Sequence, residues 1–367
     1  MTKKIRAFGA AALAAVWLGL ALAAWLHRPR EISDAERRKL AQFPALTAES
    51  LLSGEWMGEF EDYTLDQFPM RDTFRQLKAL VHYGVLNQGD NNGIYIAGGY
   101  AAELEYPLNE TSVSNAVKKF GTIYETYLRD TGSSVFLSVV PDKGYYLAEE
   151  NGYPAMDYEA LFDRVNEGTP WADYVNITDL LCAEDYYKTD THWRQEKILD
   201  VAQRLCTAMG TSIPAMGEFT QQEVERPFYG VYYGQAALPM EAETLCIMES
   251  DLLSRCTVYN HETGQTASVY DMEKLQSRDL YDVYLSGAAA LLTIENPGVD
   301  SGRELIVFRD SFGSSLVPLL VSGYETVTVV DIRYISSQVL GEYIDFHGQD
   351  VLFLYSTLVL NNSSTLK

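Results

Sequence analysis

Residues Glu304–Leu316 read ELIVFRDSFGSSL, and the fold turns on how that stretch is understood. Leu305, Ile306, Val307 and Phe308 are apolar without period-2 alternation, the pattern of a parallel strand covered on both faces. The run stops at Arg309 and Asp310, passes Ser311, Gly313, Ser314 and Ser315, and resumes with Leu316, Val317, Leu319 and Leu320. A strand, a sharp turn and a helix are expected, with Ser311 exposed at the carboxyl end of the strand. There it stands beside a helix amino terminus, whose free N–H groups favour a developing oxyanion. The turn follows the logic of a nucleophile elbow without its GxSxG. The same residues also read as an Asp-Ser cap before an apolar run, and this stretch alone leaves both readings open.

Outward from that turn the chain alternates. After strand 304–308 come a helix over 314–322, a strand over 326–331, a helix over 337–346 and a strand over 350–355, as in a parallel sheet with helices on its faces. Upstream, Ser134–Val140 (SVFLSVV) is a strand closed by Pro141, Asp142 and Lys143. Helices are expected from Asn115 to Arg129, from about Tyr158 to Val165 and from Trp193 to Met209. A hairpin turning at Gly98 and Gly99 precedes them. Earlier still, Asp66–Pro69 form a turn before a helix starting near Asp72, with Phe74, Leu77, Leu80 and Val81 as its apolar stripe. Residues 211–300 are less regular, with short strands near Cys256–Tyr259 and Thr266–Tyr270. Parallel sheets bind ligands at the carboxyl ends of their strands. Asp142 with Lys143, Arg309 to Ser311, and Asp331 with Arg333 collect at that edge.

Composition narrows the function classes. The chain has 367 residues, 47% apolar and 22% charged, with net charge −23. Residues 1–30 hold Lys3, Lys4, Arg6, Arg28 and Arg30 and no acid, so the remainder carries −23 − 5 = −28. A body that acidic repels nucleic acid and anionic lipid, and neither is expected as a partner. The uncharged run Ala7–Leu26, at about 1.5 Å rise per residue, is long enough to span a bilayer. It reads as a signal anchor with the body outside the cytoplasm, given the basic cluster before it. Ala21-Leu22-Ala23 also offers the small-residue pattern of a cleavable signal peptide. Cys182, Cys206, Cys246 and Cys256 allow two disulfides or four free thiols, with no zinc-like spacing. No metal or other cofactor is expected, because the histidines are scattered.

A nucleophilic serine needs a base. Beyond residue 30 the histidines are His82, His192, His261 and His347, and His192 stands apart in YYKTDTHWRQE. Asp190, two residues earlier, shares its side of an extended segment, so a carboxylate can hold one imidazole nitrogen while the other faces a hydroxyl. The alternative is that Asp190 or Thr191 caps a helix starting at Trp193.

With these residues in view, the sequence resembles the bacterial DHHW proteins, whose carboxyl portion is similar to the SGNH-hydrolase-like domain of alginate O-acetylation proteins. FEDYTLDQFPMRDTF (60–74), DTHW (190–193), RDSFGSSLVPLL (309–320) and DIRY (331–334) carry the resemblance, with ERRKLAQFP (36–44) and VVPDKGYY (139–146). It implies a three-layer α/β/α, SGNH hydrolase-like fold over 57–367 with an irregular insertion around 211–300. Ahead of it stand a signal anchor over 1–30 and a connector over 31–56. It implies Ser311 as nucleophile, His192 as general base and Asp190 as orienting acid, in an order permuted from ordinary SGNH hydrolases. It also implies acetyl transfer to a cell-surface or secreted polysaccharide, with a multi-span membrane acyltransferase of the MBOAT type supplying acetyl groups. An acetyl esterase and a non-catalytic glycan-binding or assembly protein are the other functions the sequence admits. Thr191 stands where the family has a second His, and Arg309 where related proteins often have Gly. The separate Asn- and Gly-bearing oxyanion blocks have no counterpart, leaving the Ser311 N–H as donor. Arg309, Asp310, Lys143, Arg333, Tyr334, Tyr232 and Tyr233 are the expected substrate contacts. The aromatic stretch Phe228–Tyr233 either lines a glycan groove with Arg333 and Tyr334 or packs in the core.

Overall fold

A computed structural model describes residues 3–33 and 35–367. The chain divides into two compact units, residues 1–91 with 233–239, and residues 92–232 with 240–367. The larger unit is built on one sheet. In chain order its strands are β1 (Ser134–Val140), β2 (Asp173–Tyr174), β3 (Thr257–Asn260), β4 (Gln265–Ser268), β5 (Leu291–Glu295), β6 (Glu304–Arg309), β7 (Thr326–Val330) and β8 (Asp350–Ser356). Across the sheet they run β4-β3-β5-β7-β6-β8-β1-β2. From β7 to β2 all neighbours are parallel, whereas β5, β3 and β4 add an antiparallel edge.

The absence of alternation in β6 now has its reason. Leu305 and Val307 enter one core, shared with Leu205 and Leu316 from helices Leu199–Ala208 and Gly313–Leu320. Ile306 and Phe308 enter a second core, shared with Phe120 and Leu161 from helices Glu110–Ile123 and Tyr158–Gly168. A strand dry on both faces has no position for a polar residue, and the helices on either side complete three layers. The connection from β6 runs to β7 on one side, and the chain then crosses to β8 on the other. The carboxyl end of β6 is therefore the switch point of the sheet.

Acidic residues end these strands. Asp310 accepts from the Ser356 N–H at 2.7 Å and the Phe312 N–H at 3.0 Å. Asp142 accepts from the Thr357 hydroxyl at 2.7 Å and the Gly144 N–H at 2.6 Å. Each carboxylate serves donors that the sheet ladder does not pair.

Several expected elements differ. The connector expected over 31–56 carries a strand pair, Ile32–Ser33 with Arg38–Lys39, and a helix Ala48–Ser53 capped by Thr47. The helix expected over 115–129 starts at Glu110, where Asn109 caps it, and widens at Tyr124–Leu128. The helix expected over 337–346 is a short 3-10 turn, Ser337–Glu342. Residues 257–295 supply β3, β4 and β5 to the central sheet. All four cysteines are free thiols, with Cys206, Cys246 and Cys256 buried.

In the smaller unit, Lys4–Leu26 is the one helix among the described residues long and apolar enough to cross a membrane, by length and composition. Its mean hydropathy is 2.0 and none of it is buried. Helices Glu55–Asp66 and Arg71–Gly84 follow. Asp66 receives Arg38 through both guanidinium nitrogens at 2.8 and 2.6 Å, the Ala41 N–H at 2.8 Å and Arg71 at 3.2 Å. Glu36 pairs with Arg71, with Arg75 at 3.4 Å and with Arg38 at 3.5 Å.

Candidate functional site

The segment carrying Asp190 and His192 is a tight loop. Tyr186 and Trp193 form an antiparallel bridge, and the Tyr187 N–H donates to the His192 carbonyl at 3.1 Å. Because Trp193 belongs to this loop, the helix expected from it begins only at Leu199. Asp190, fully buried, accepts from the His192 backbone N–H at 3.1 Å and lies 2.6 Å from its Nδ1 through the same oxygen. Its other oxygen accepts from the Val231 N–H at 2.8 Å. A carboxylate so close to Nδ1 selects the tautomer protonated there, which makes Nε2 the basic nitrogen. Nε2 is buried and has no hydrogen-bond partner.

Two contacts aim this loop at the turn after β6. The Trp193 indole N–H reaches the Phe312 carbonyl at 3.1 Å and Ser315 Oγ at 3.0 Å. The Gln195 amide donates to the Ser315 carbonyl at 2.8 Å. The His192 ring consequently packs 5.1 Å from Phe312, the residue next to Ser311. On its other side Tyr281 stacks at 4.0 Å and 10°, and the Tyr281 hydroxyl is bonded to Ser315 Oγ at 2.7 Å. Burial keeps that phenol protonated by raising its pKa well above the usual tyrosine range. Ser315 thus ties Trp193 and Tyr281 to the helix that Ser311 precedes.

Ser311 is half-buried at the entry to helix Gly313–Leu320. The Phe312 N–H is bonded to Asp310 Oδ1, the Gly313 N–H to the Asp310 carbonyl and the Ser314 N–H to the Ser311 carbonyl. The Ser311 N–H makes no such bond among the described residues, which fits the oxyanion donor expected of it. With Nε2 unpartnered, the bond from the Ser311 hydroxyl to His192 is not formed in this structure. Such bonds commonly close only when substrate is bound.

The other expected residues fall into distinct places. Lys143 is buried, and its ammonium donates to the Tyr187 carbonyl at 2.8 Å and sits 5.1 Å over the Tyr232 ring. Burial pushes its pKa down to about 7, against the pull of Asp190, Glu243 and Asp142. Arg309 is buried too, donating to Ser314 Oγ at 3.0 Å, with Asp331 at 3.8 Å. Asp310 is engaged with backbone amides as above. Tyr232 is buried, its hydroxyl on Thr191 Oγ1 at 3.1 Å. These four side chains therefore support the loop and the turn from within. Arg333 forks onto Asp331 at 2.9 and 2.6 Å and stacks 5.6 Å from Tyr334, which is exposed. Tyr233 groups with the smaller unit. Trp193, Gln195, Ser315 and Tyr281 were not singled out from sequence. Ser315 carried a signal, since it lies one helical turn past Ser311. Tyr281 carried none. No group of three or more metal-ligating side chains gathers among the described residues.

The parallel sheet covered on both faces, its switch point at β6 and the serine turn beyond it make this a three-layer α/β protein. Residues 174–330, which contain both DTHW and RDSF, match the family model described as DHHW protein, so the DHHW resemblance read from the sequence is borne out. A DHHW family protein from Eubacterium siraeum shares the fold at TM-score 0.58 and 20% identity, over 75% of this chain and 95% of that one. Bacillus cereus PatB1 with a sulfonyl adduct aligns at TM-score 0.60 and 17% identity, over 73% and 95%. A second PatB1 structure aligns at TM-score 0.57 and 15% identity, over 73% and 96%. No curated protein matches.

Proposed function

We propose that this chain is a membrane-anchored, extracytoplasmic O-acetyltransferase that esterifies hydroxyls of a cell-surface or secreted polysaccharide through Ser311, His192 and Asp190. The observation that carries the reading is the imidazole of His192. One nitrogen is held 2.6 Å from Asp190, while the other is buried without a partner and the ring packs beside the residue following Ser311. A histidine kept in the right tautomer, with its basic nitrogen unsatisfied next to a serine, is the arrangement that activates a hydroxyl. The sulfonyl adduct on PatB1, a protein of the same fold, is also what a reactive nucleophile forms.

In the reaction, Ser311 Oγ attacks the acetyl carbonyl of the donor as its proton passes to His192 Nε2. The Ser311 N–H faces the oxyanion. Collapse breaks the bond to the donor's leaving group, which departs with the proton from His192 and leaves acetyl-Ser311. A sugar hydroxyl then attacks, gives its proton to Nε2 and leaves as the acetyl ester, and the proton returns to Ser311 Oγ. Asp190 orients the ring and favours the imidazolium in both halves. The DHHW resemblance makes a multi-span membrane acyltransferase the source of acetyl groups, and residues 4–26 would hold the enzyme beside it. The test is acetate release from an activated acetyl ester by the purified full chain. Ser311→Ala and His192→Ala should each lose about a thousandfold or more, the double variant no more than either, and Asp190→Asn less. Wild-type activity equal to that of Ser311→Ala overturns the reading. Oligosaccharide acceptors should divert acetyl from water to sugar, and hydrolysis alone with every acceptor would make the protein an esterase.

A further inference from the structure

Helix Arg71–Gly84 is amphipathic, but its apolar side is turned out. Its one buried residue is Ala79. Leu77 and Val81 lie two positions from Ala79 and Phe74 five, offsets that at about 100° per residue place them on the opposite side. Those three are exposed, Leu77 by 54%, and Val85 just beyond the helix by 74%. A helix of a soluble protein does the reverse, burying its stripe against the core. Its arginines do not share that outward side, since Arg71 and Arg75 turn to Glu36 within the unit.

The start of this helix is fastened to the end of the apolar span. The Arg30 N–H donates to Gln67 Oε1 at 2.9 Å, the Gln67 amide donates back to the Arg30 carbonyl at 2.8 Å, and the Arg30 guanidinium pairs with Asp72 at 3.4 Å. Arg30 lies four residues past Leu26, a reach of at most about 14 Å. Wherever the span leaves a bilayer, the first turn of this helix lies near that surface. An outward apolar stripe on a helix tethered in this way is the pattern of a helix seated in the lipid interface.

We infer that helix Arg71–Gly84 is an interfacial helix, with Phe74, Leu77, Val81 and Val85 set into the surface of the bilayer that Lys4–Leu26 crosses. This rests on the membrane part of the proposal above and is independent of the chemistry at Ser311.

The experiment places the full chain in nanodiscs of phosphatidylcholine carrying a photoactivatable diazirine lipid, and maps adducts by peptide mass. Adducts are expected both within 4–26 and within 74–86. Leu77→Glu with Val81→Glu should lower the second set about tenfold and leave the first unchanged, since charges are expelled from the apolar interface. Both positions are exposed, so the substitutions spare the fold. Adducts confined to 4–26, or a second set that survives the double substitution, overturn the inference. Residues 74–86 that crosslink to a protein in native membranes and never to lipid overturn it in favour of a protein partner. Absence of adducts within 4–26 removes the span itself and the inference with it, whereas ester hydrolysis by Ser311 is read separately.

Discussion

The two units keep apolar surface in opposite ways. Beyond residue 91 the large hydrophobic side chains left exposed are Tyr106, Tyr229, Tyr259, Met272, Tyr334 and Tyr343, with no Leu, Ile, Val or Phe among them. Between Phe43 and Leu86 the chain exposes Leu, Val, Met and Phe throughout, Leu52 by 89%. A sheet covered on both faces takes in aliphatic residues from every layer. Helices with only a two-residue strand pair beside them have no second layer: helix Ala48–Ser53 buries nothing and helix Arg71–Gly84 buries Ala79. What orders the smaller unit is an ion-pair network, Glu36 and Asp66 among Arg38, Arg71 and Arg75, beside one cluster of rings, Phe43 with Trp56, Phe60 and Tyr63. One unit closes over its aliphatic side chains, and the other leaves many of them exposed.

That contrast predicts different weak points. The largest effect belongs to the sheet: Phe308→Ala, which empties a fully buried site stacked on Phe353 at 4.7 Å, should cost about 3–5 kcal/mol. Urea unfolding followed by hydrogen exchange at residues 304–309 reads it, and a loss below about 1 kcal/mol would break the comparison. A smaller loss, about 2–3 kcal/mol, is expected from Asp66→Ala, which strands two arginines and an amide. Exchange should quicken over residues 38–84 while ester hydrolysis persists. Smallest is the response to acid. Bonds from Arg38 hold the Asp66 carboxyl below its ordinary pKa, and the arginines outweigh burial to do the same for Glu36. The stabilisation they give is complete above the unfolded carboxylate range of about 4 and is lost as pH falls through the depressed folded values. Exchange over residues 38–84 should therefore rise below about pH 4 before exchange over β6 does. Simultaneous loss would show that the two units do not differ in what holds them.

The sequence by itself determined whatever neighbouring residues fix. The unalternating runs of β6 and β8 read as doubly covered parallel strands, and both are. Gly98 and Gly99, both at positive φ, turn the hairpin Ile94–Ala97 and Tyr100–Glu103 as expected. The Asp190–His192 pairing followed from a spacing of two. Strands β3, β4 and β5 were less legible because short antiparallel edge strands carry a weak apolar signal. Tertiary structure alone decided that Trp193 and Gln195 bond to the helix after Ser311 and that Tyr281 stacks on His192. An indole or amide finds an acceptor wherever the fold brings one, and nothing local names it. It also decided which way Phe74, Leu77 and Val81 face. Periodicity records that a helix has an apolar side, but only the packing of Ala79 says that this side looks outward. The period is a property of the chain, whereas direction is a property of what the helix is packed against.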